Sequence, residues 1–215
     1  SHDLRAPLRA IQGFAQVLLE DYESLFDDMG REYLNRLITA AGHLDTLILD
    51  LLAYSRLGRT QIQLGQVDLA TVVQGILQEL ESELQEKQAQ VIIKTTLPLV
   101  KSQQSILKSI ITNLITNAVK FVHPSTRAVV KIWAEERGKY VRLWVEDNGI
   151  GIAPEHQERI FRVFERLHGV ESYVGTGIGL AIVKRGVESI NGSVGVFSNV
   201  NHGSRFWIEL PRYKE

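Results

Sequence analysis

The sequence predicts an α+β protein in two parts: an N-terminal helical hairpin, then an α/β sandwich built on a mixed sheet. Three observations carry the prediction. Apolar residues recur at helical spacing through residues 1–57. Beyond residue 60, helical stretches are interleaved with short strand-like runs. Two glycine clusters, Asp147-Asn148-Gly149-Ile150-Gly151-Ile152 and Gly175-Thr176-Gly177-Ile178-Gly179-Leu180, respectively end a strand and open a helix. Domains are expected at 1–60 and 61–215.

In the first helix Leu4, Leu8, Ile11, Ala15 and Leu18 form one apolar stripe. Asp27 to Gly30 form the expected turn. The second helix carries Leu34, Ala41 and Ile48 seven residues apart, flanked by Leu37, Leu44 and Leu51, a coiled-coil-like seam. Two helices cannot enclose a core alone. Either a second copy completes a four-helix bundle or residues 61–215 cover the stripe; homodimerisation is the natural inference. His2 lies beside Asp3, which can hold the imidazole in one tautomer and accept a proton as the other nitrogen attacks. Pro7 near the helix start permits a local bend. Alone, His2 reads as an exposed helical histidine; the motifs downstream reverse that reading.

Ser55 to Gln66, with Gly58 and Gly65, mark the domain boundary. Asp68 is an expected N-cap for a helix running to Glu86, and Val91-Ile92-Ile93 an expected strand. Gln104 to Phe121 form a strong helix with Leu107, Ile110, Ile111, Leu114, Ile115 and Ala118 on its apolar side. Residues three and four apart share a helix face, which aligns Asn113, Asn117, Lys120 and Phe121. Amide oxygens suit Mg²⁺, a cation that takes hard oxygen ligands together with waters and phosphate oxygens; taken alone, the pair reads equally as a polar helix edge. A hairpin follows, Ala128 to Glu136 and Tyr140 to Asp147, with Trp133 and Trp144 as packing residues.

Alternation along Tyr140 to Asp147 places Val141, Leu143, Val145 and Asp147 on one face, so a carboxylate arrives on the core side and needs a partner. Gly149 and Gly151 just beyond it remove side chains where a ligand can approach the backbone. A short helix is expected from Pro154 to Phe161, with Phe161 and Phe164 either docking a mobile lid over residues 165–176 or packing as ordinary core residues. Glycine at 175, 177 and 179 running into a helix from Ile178 to Ile190 suits phosphate held by backbone N–H groups. Asn191-Gly192 stop that helix, and strands Ser193 to Ser198 and Ser204 to Leu210 close the chain. Together these features suggest a nucleotide site, with a buried acid for the base and a glycine loop for the phosphates.

Composition serves mainly to exclude. A formal net charge of -1 gives no support for a nucleic-acid partner. Without cysteine there is neither a disulfide framework nor a thiolate zinc site, which fits a cytoplasmic location for this fragment. No continuous apolar run reaches the ~18 residues of a membrane span. The start at Ser1, without methionine, predicts a piece of a longer protein, the whole being either soluble or membrane-attached.

Across essentially its whole length the chain resembles the catalytic core of a two-component sensor histidine kinase. Ser1 to Leu8 resemble the histidine box of the dimerisation and phosphoacceptor domain. Asn113-Leu114-Ile115-Thr116-Asn117-Ala118-Val119-Lys120-Phe121 resembles the asparagine box of the ATP-binding domain shared with gyrase, Hsp90 and MutL. Asp147 to Gly151, Phe161 to Phe164, Gly175 to Leu180 and Gly203-Ser204 resemble the remaining boxes in family order. The stretch around Arg166-Leu167-His168-Gly169 looks closest to phytochrome-type and cyanobacterial kinases.

The resemblance implies ATP and Mg²⁺ as cofactors and a role for each matching position. Asp147 receives the adenine amino group, with Ser204 joining through water. Asn117 ligates Mg²⁺, with Asn113 as second ligand or water-positioner. Lys120 and Arg166 face the phosphates beside Phe121, and Gly175, Thr176, Gly177, Gly179 and Leu180 form the closing loop. His2 attacks the γ-phosphoryl group with Asp3 as base, and an aspartate of a response regulator receiver domain receives it. Two departures stand out. Ala6 occupies a position where many relatives have Thr or Asn, which predicts weak phosphatase activity. Gly186 falls inside a predicted helix at a cost of ~1 kcal/mol relative to Ala. Rival readings are a gyrase- or Hsp90-like ATPase, disfavoured because Asn113 stands where those enzymes place a catalytic glutamate, and a non-catalytic nucleotide-gated module.

Overall fold

A computed structural model of the chain describes residues 2–57, 62–167 and 175–213, and side chains from residue 5 onward. It divides into two compact units, Ser1–Ser55 and Arg56–Glu215. The first is a helical hairpin of α1 (His2–Asp21) and α2 (Asp28–Arg56), joined through a 3-10 turn at Glu23–Leu25. The connection lies slightly earlier than expected. Asp27 accepts from the Gly30 N–H at 2.7 Å and so caps α2, which places Gly30 inside the first helical turn. Leu8 and Ala15 on α1, and Leu34 and Ala41 on α2, are buried at seven-residue spacing. A bidentate pair, Arg5 to Asp45 at 2.6 and 2.9 Å, ties the two helices together.

One expectation needs correction. By length and composition α2 is long and apolar enough to cross a membrane. Its leucines and isoleucines are spaced periodically among small and polar residues, so no continuous apolar run announces it. Those same intervening residues include Asp45, which is engaged with Arg5 in the hairpin.

The second unit is a two-layer sandwich. Its five-stranded sheet has the order β2-β4-β5-β7-β6, with β2 (Gln90–Ile93) parallel to β4 (Val129–Arg137) and the other pairs antiparallel, through β5 (Tyr140–Asp147), β7 (Ser204–Pro211) and β6 (Ser193–Ser198). Helices α3 (Leu69–Glu79), α5 (Gln104–Lys120) and α6 (Gly179–Ser189) form the other layer. The core lies between, where Leu107, Ile110, Ile111 and Ile115 of α5 meet Val141 and Leu143 of β5 and Ile208 and Leu210 of β7, all fully buried. On the sheet's opposite face Trp133 and Trp144, paired in register, stack at 5.6 Å. The tryptophans are packing residues, as expected.

Two short strands escaped the sequence reading, β1 (Gly65–Asp68) and β3 (Leu99–Ser102), which pair antiparallel. Asp68 is the N-cap of α3, accepting from the Ala70 N–H at 3.0 Å. The helix expected to run to Glu86 breaks at Leu80, whose backbone leaves the helical basin at φ -90°, ψ 2°. The bend keeps Leu80 and Leu84, on α4 (Glu81–Glu86), packed against the core. The expected helix from Pro154 to Phe161 is instead two 3-10 turns, Pro154–His156 and Arg159–Phe161.

Candidate functional site

A cavity of about 780 Å³, its mouth included, opens between the end of α5, the loops after β5 and before α6, and the start of β7. Its walls bring together residues that lie far apart in sequence: Asn117, Lys120 and Phe121 from α5, Asp147 from β5, and Ser204 from β7. Arg166, Gly151, Gly175, Gly177 and Leu180 complete the predicted set on the wall. Asn113, Gly149, Thr176 and Gly179 are not on the wall: Gly149 abuts Phe121 and Asp147, and Gly179 abuts Asn113.

Asp147 ends the central strand on the core side, as alternation requires. Its Oδ1 accepts from the backbone N–H groups of Gly149 at 2.8 Å and Ser204 at 3.1 Å. The partner that a buried carboxylate needs is thus the backbone of two loops. Burial dominates all the same, raising the carboxyl to about 6 against those two hydrogen bonds. Glycine at 149 is required by packing: a Cβ there would run into the Phe121 carbonyl oxygen. That same oxygen accepts from the Ile150 N–H at 2.9 Å, which docks the loop onto the end of α5. Asn148 closes the loop from the other side, accepting from the Val129 N–H and donating to the Arg127 carbonyl.

At the opposite end, Asn113 donates from Nδ2 to the Ser109 carbonyl at 2.8 Å, so its Oδ1 is the atom left to act. That oxygen faces the start of α6, 2.6 Å from where a Cβ on Gly179 would stand. Only glycine lets the helix N-terminus come this close to the asparagine face. Lys120 Nζ lies 4.5 Å from the Phe121 ring centre and directly against Gly175. Gly177 takes φ +72°, packs on the stem of Arg166, and its carbonyl accepts from the Phe164 N–H at 3.0 Å. Thr176 is buried, its hydroxyl receiving the Ile178 N–H.

The paired aromatics part company. Phe161 packs edge-on against Phe206 at 6.5 Å, within the core, whereas Phe164 is 57% exposed with φ +65°. Sequence reasoning missed the apolar wall of the cavity, Ile150, Ile152, Ile160, Leu167 and Phe206. For Phe206 the signal was available, since it alternates inward with Ser204 and Ile208. Of the predicted residues, the side chains of His2 and Asp3 lie outside the described residues, as do positions 168–174 of the expected lid.

Comparison with known proteins gives the same assignment. Residues 102–214 match the family described as histidine kinase-, DNA gyrase B- and HSP90-like ATPase, and residues 1–60 the His Kinase A (phospho-acceptor) domain. The chain is 34% identical over 211 residues to the phytochrome-like protein Cph1 of Synechocystis, and 36% to cyanobacterial phytochrome B of Nostoc. Each match covers 98% of this chain but 28% of the relative, so the chain spans under a third of their length. Among solved structures, full-length ShkA in complex with AMPPNP superposes with TM-score 0.75 at 29% identity, covering all of this chain and 45% of that one. The Acinetobacter baumannii kinase AdeS, at 23% identity and TM-score 0.66, shares the fold. The expected likeness to phytochrome-type kinases is borne out, and the chain belongs to the sensor histidine kinases as their catalytic core, a phospho-acceptor domain followed by an ATP-binding domain.

Proposed function

We propose that this core transfers the γ-phosphoryl group of ATP to His2 and then to an aspartate of a response regulator receiver domain. The observation that carries the proposal is the convergence of Asp147, Asn117 and Lys120 on one cavity closed by the glycine loop at the start of α6. Asp147 and Ser204 hold the adenine end. Lys120, Arg166 and the backbone of Gly175, Thr176, Gly177 and Gly179 hold the phosphates, where the α6 N-terminus favours negative charge. Phe121, Gly149, Gly151 and Leu180 shape the walls between.

Among the described residues no group of three or more His, Cys, Asp or Glu side chains could hold a metal. The amide oxygens of Asn113 and Asn117 are hard donors at the phosphate end and fit Mg²⁺ completed by ATP oxygens and water. Bound there, Mg²⁺ supplies charge neutralisation for the transferring group. An imidazole nitrogen of His2 forms the P–N bond as the bond to ADP breaks, and the proton on the other nitrogen passes to Asp3. Alignment and charge stabilisation supply most of the rate.

Residues 1–60 act as the dimerisation and phosphotransfer domain, pairing with a second copy through the exposed stripe, and residues 61–215 as the ATP-binding domain. An upstream sensor domain belongs to the whole protein. ATP as substrate supports a cytoplasmic location for this core, whatever the attachment of the rest. Ala6 departs from relatives with Thr or Asn at that position and has no hydrogen-bonding side chain, which supports weak phosphatase activity.

The test is autophosphorylation of the full-length protein with γ-labelled ATP and Mg²⁺, beside His2→Ala and Asn117→Ala. The expected label is acid-labile and base-stable and falls more than a thousandfold in both variants. Tight ATP binding without label would instead favour a nucleotide-gated module. Label that survives His2→Ala would move the acceptor elsewhere.

A further inference from the structure

β6 is an edge strand of the five-stranded sheet, and two contacts at its end fix which way its free backbone groups point. In an antiparallel ladder, opposed residues alternate between pairs that exchange both hydrogen bonds and pairs that exchange none. Ser198 and Ser204 form a pair of the second kind. The Ser204 N–H goes to Asp147 on the far side, and the Ser198 carbonyl accepts from Gln157 Nε2 at 2.8 Å on the open side. The orientation repeats every second residue. Val196 and Val194 therefore turn their N–H and C=O groups outward, while Ser193, Gly195 and Phe197 turn theirs toward β7. Among the described residues nothing pairs with the outward groups of either valine. Gln157 already does at Ser198 what a neighbouring strand would do at Val196 and Val194.

Beside this edge lies a groove of about 1000 Å³, its mouth included, lined by Phe161, Arg162, Lys184, Glu158 and the two valines. It is on the helix side of the sheet, because Val194 and Val196 are paired with Ile208 and Phe206 and pack against the core. None of its residues lines the cavity at the end of α5. Arg162, Lys184 and Glu158 are exposed, and among the described residues neither cation has a carboxylate partner. Two cations against one carboxylate leave the groove net positive. On the sheet's other face Phe197 packs on Trp144 at 6.0 Å yet stays 53% exposed. Edge strands are usually guarded against pairing by charge, proline or a bulge. β6, Ser-Val-Gly-Val-Phe-Ser, carries neither charge nor proline.

We propose that the β6 edge is an interaction surface that takes an extended acidic segment of a partner protein as an added strand. The segment's backbone pairs with Val194 and Val196, and the pairing supplies the affinity. Its side chains alternate between the two faces, as in any strand. Those on the helix side enter the groove, where carboxylates meet Arg162 and Lys184; those on the other side are apolar and lie beside Phe197. Charge selects this occupant. A basic segment would meet like charge, and a purely apolar one would leave both cations unmatched. A second copy of β6, having no charged residue, brings no carboxylate to the groove either. The inference goes beyond the ATP reading and does not depend on it.

The probe is a blocked synthetic peptide that alternates valine and glutamate over the length of β6, titrated into the full chain, with a valine–lysine counterpart as control. Amide exchange, followed residue by residue, should slow at Val194 and Val196 on adding the acidic peptide and stay unchanged at Gly195 and Phe197, whose N–H groups β7 already holds. Val196→Pro removes one outward N–H, a change an edge strand tolerates, and should weaken binding about tenfold or more. If that variant melts too low to titrate, Arg162→Glu combined with Lys184→Glu alters only exposed side chains and should weaken binding by a similar factor. ATP affinity should be the same in every variant. No saturation by the acidic peptide below about 1 mM overturns the proposal. So does a lysine peptide that binds as well, or slowed exchange that spares Val194 and Val196. Assembly of the peptide-free chain through this edge, abolished by Val196→Pro, would assign the surface to a second copy and overturn the acidic partner.

Discussion

In the hairpin, α1 and α2 bury Leu8, Ala15, Leu34 and Ala41 but leave Ile11, Phe14, Leu37 and Leu44 at 51%, 72%, 51% and 49% exposure. In the ATP-binding unit, Leu107, Ile110, Ile111 and Ile115 of a single helix are all fully buried. The same residue types at the same helical spacing therefore do different work. The sandwich closes its core inside one chain and sets aside its imperfections, a buried carboxylate and clashing-distance glycines, for a ligand site. The hairpin presents its second apolar seam outward, so its stability depends on what covers that seam.

The largest expected effect tests that dependence. If a second copy covers the stripe, Leu44→Glu removes two leucine contacts per dimer, because a two-fold interface repeats every substitution. At roughly 1.5–3 kcal/mol per buried leucine, the dimer should weaken by about a hundredfold or more. Sedimentation should show monomers at micromolar concentration. In calorimetry, the parent's lower transition should move with dilution while the sandwich transition stays fixed. A hairpin transition that ignores a thousandfold dilution would mean that the stripe is covered within its own chain.

The next effect belongs to the sandwich alone. Burial raises the Asp147 carboxyl to about 6, above the ordinary value near 4 of the unfolded chain. Between those two values the folded state holds a proton that the unfolded state has released. The contribution of this carboxyl to stability is therefore greatest below about pH 4, falls as pH rises through 6, and is lower at neutral pH by about 1–3 kcal/mol. Asp147→Asn should remove that slope and melt higher than the parent at pH 7.5. Nucleotide affinity should run the opposite way, falling below pH 6 as the carboxyl loses its acceptor charge, and should be lost in the asparagine variant. Identical stability–pH curves for parent and variant would show that the burial cost is absent.

Much of this contrast is legible in the sequence, and the exceptions have physical reasons. The stripes of α1, α2 and α5 repeat over many turns, so their periodicity registers. β1 and β3 have four residues each and pair across thirty intervening residues, so neither period nor turn chemistry announces them. The cavity's polar side was readable because Asn113, Asn117, Asp147 and the glycines are residue types that neither a helix face nor a strand end needs for itself. Its apolar side was not, because Ile150, Ile160 and Leu167 look like any other core residues.

Gly186 marks the same boundary between pattern and contact, and yields the smallest test. From sequence it is only a helix-weakening residue. In the structure a Cβ at 186 on α6 would stand 2.9 and 3.1 Å from Cγ1 and Cδ1 of Ile110, a fully buried side chain of α5. The glycine permits the close crossing of α5 and α6 that brings the asparagine face to the start of α6. Gly186→Ala gains ~1 kcal/mol of helix propensity but overpacks the crossing by about 1–3 kcal/mol, for a net loss near ~1 kcal/mol. Gly75 in α3 is the control, since nothing lies within 4 Å of a Cβ there. Gly75→Ala should therefore gain up to ~1 kcal/mol. The two substitutions are chemically identical and both fall in the sandwich, so both should move its transition alone, by a few degrees in opposite directions. Two shifts of the same sign would mean that propensity, not the α5–α6 contact, governs these positions, and that the core of the sandwich yields more readily than its burial implies.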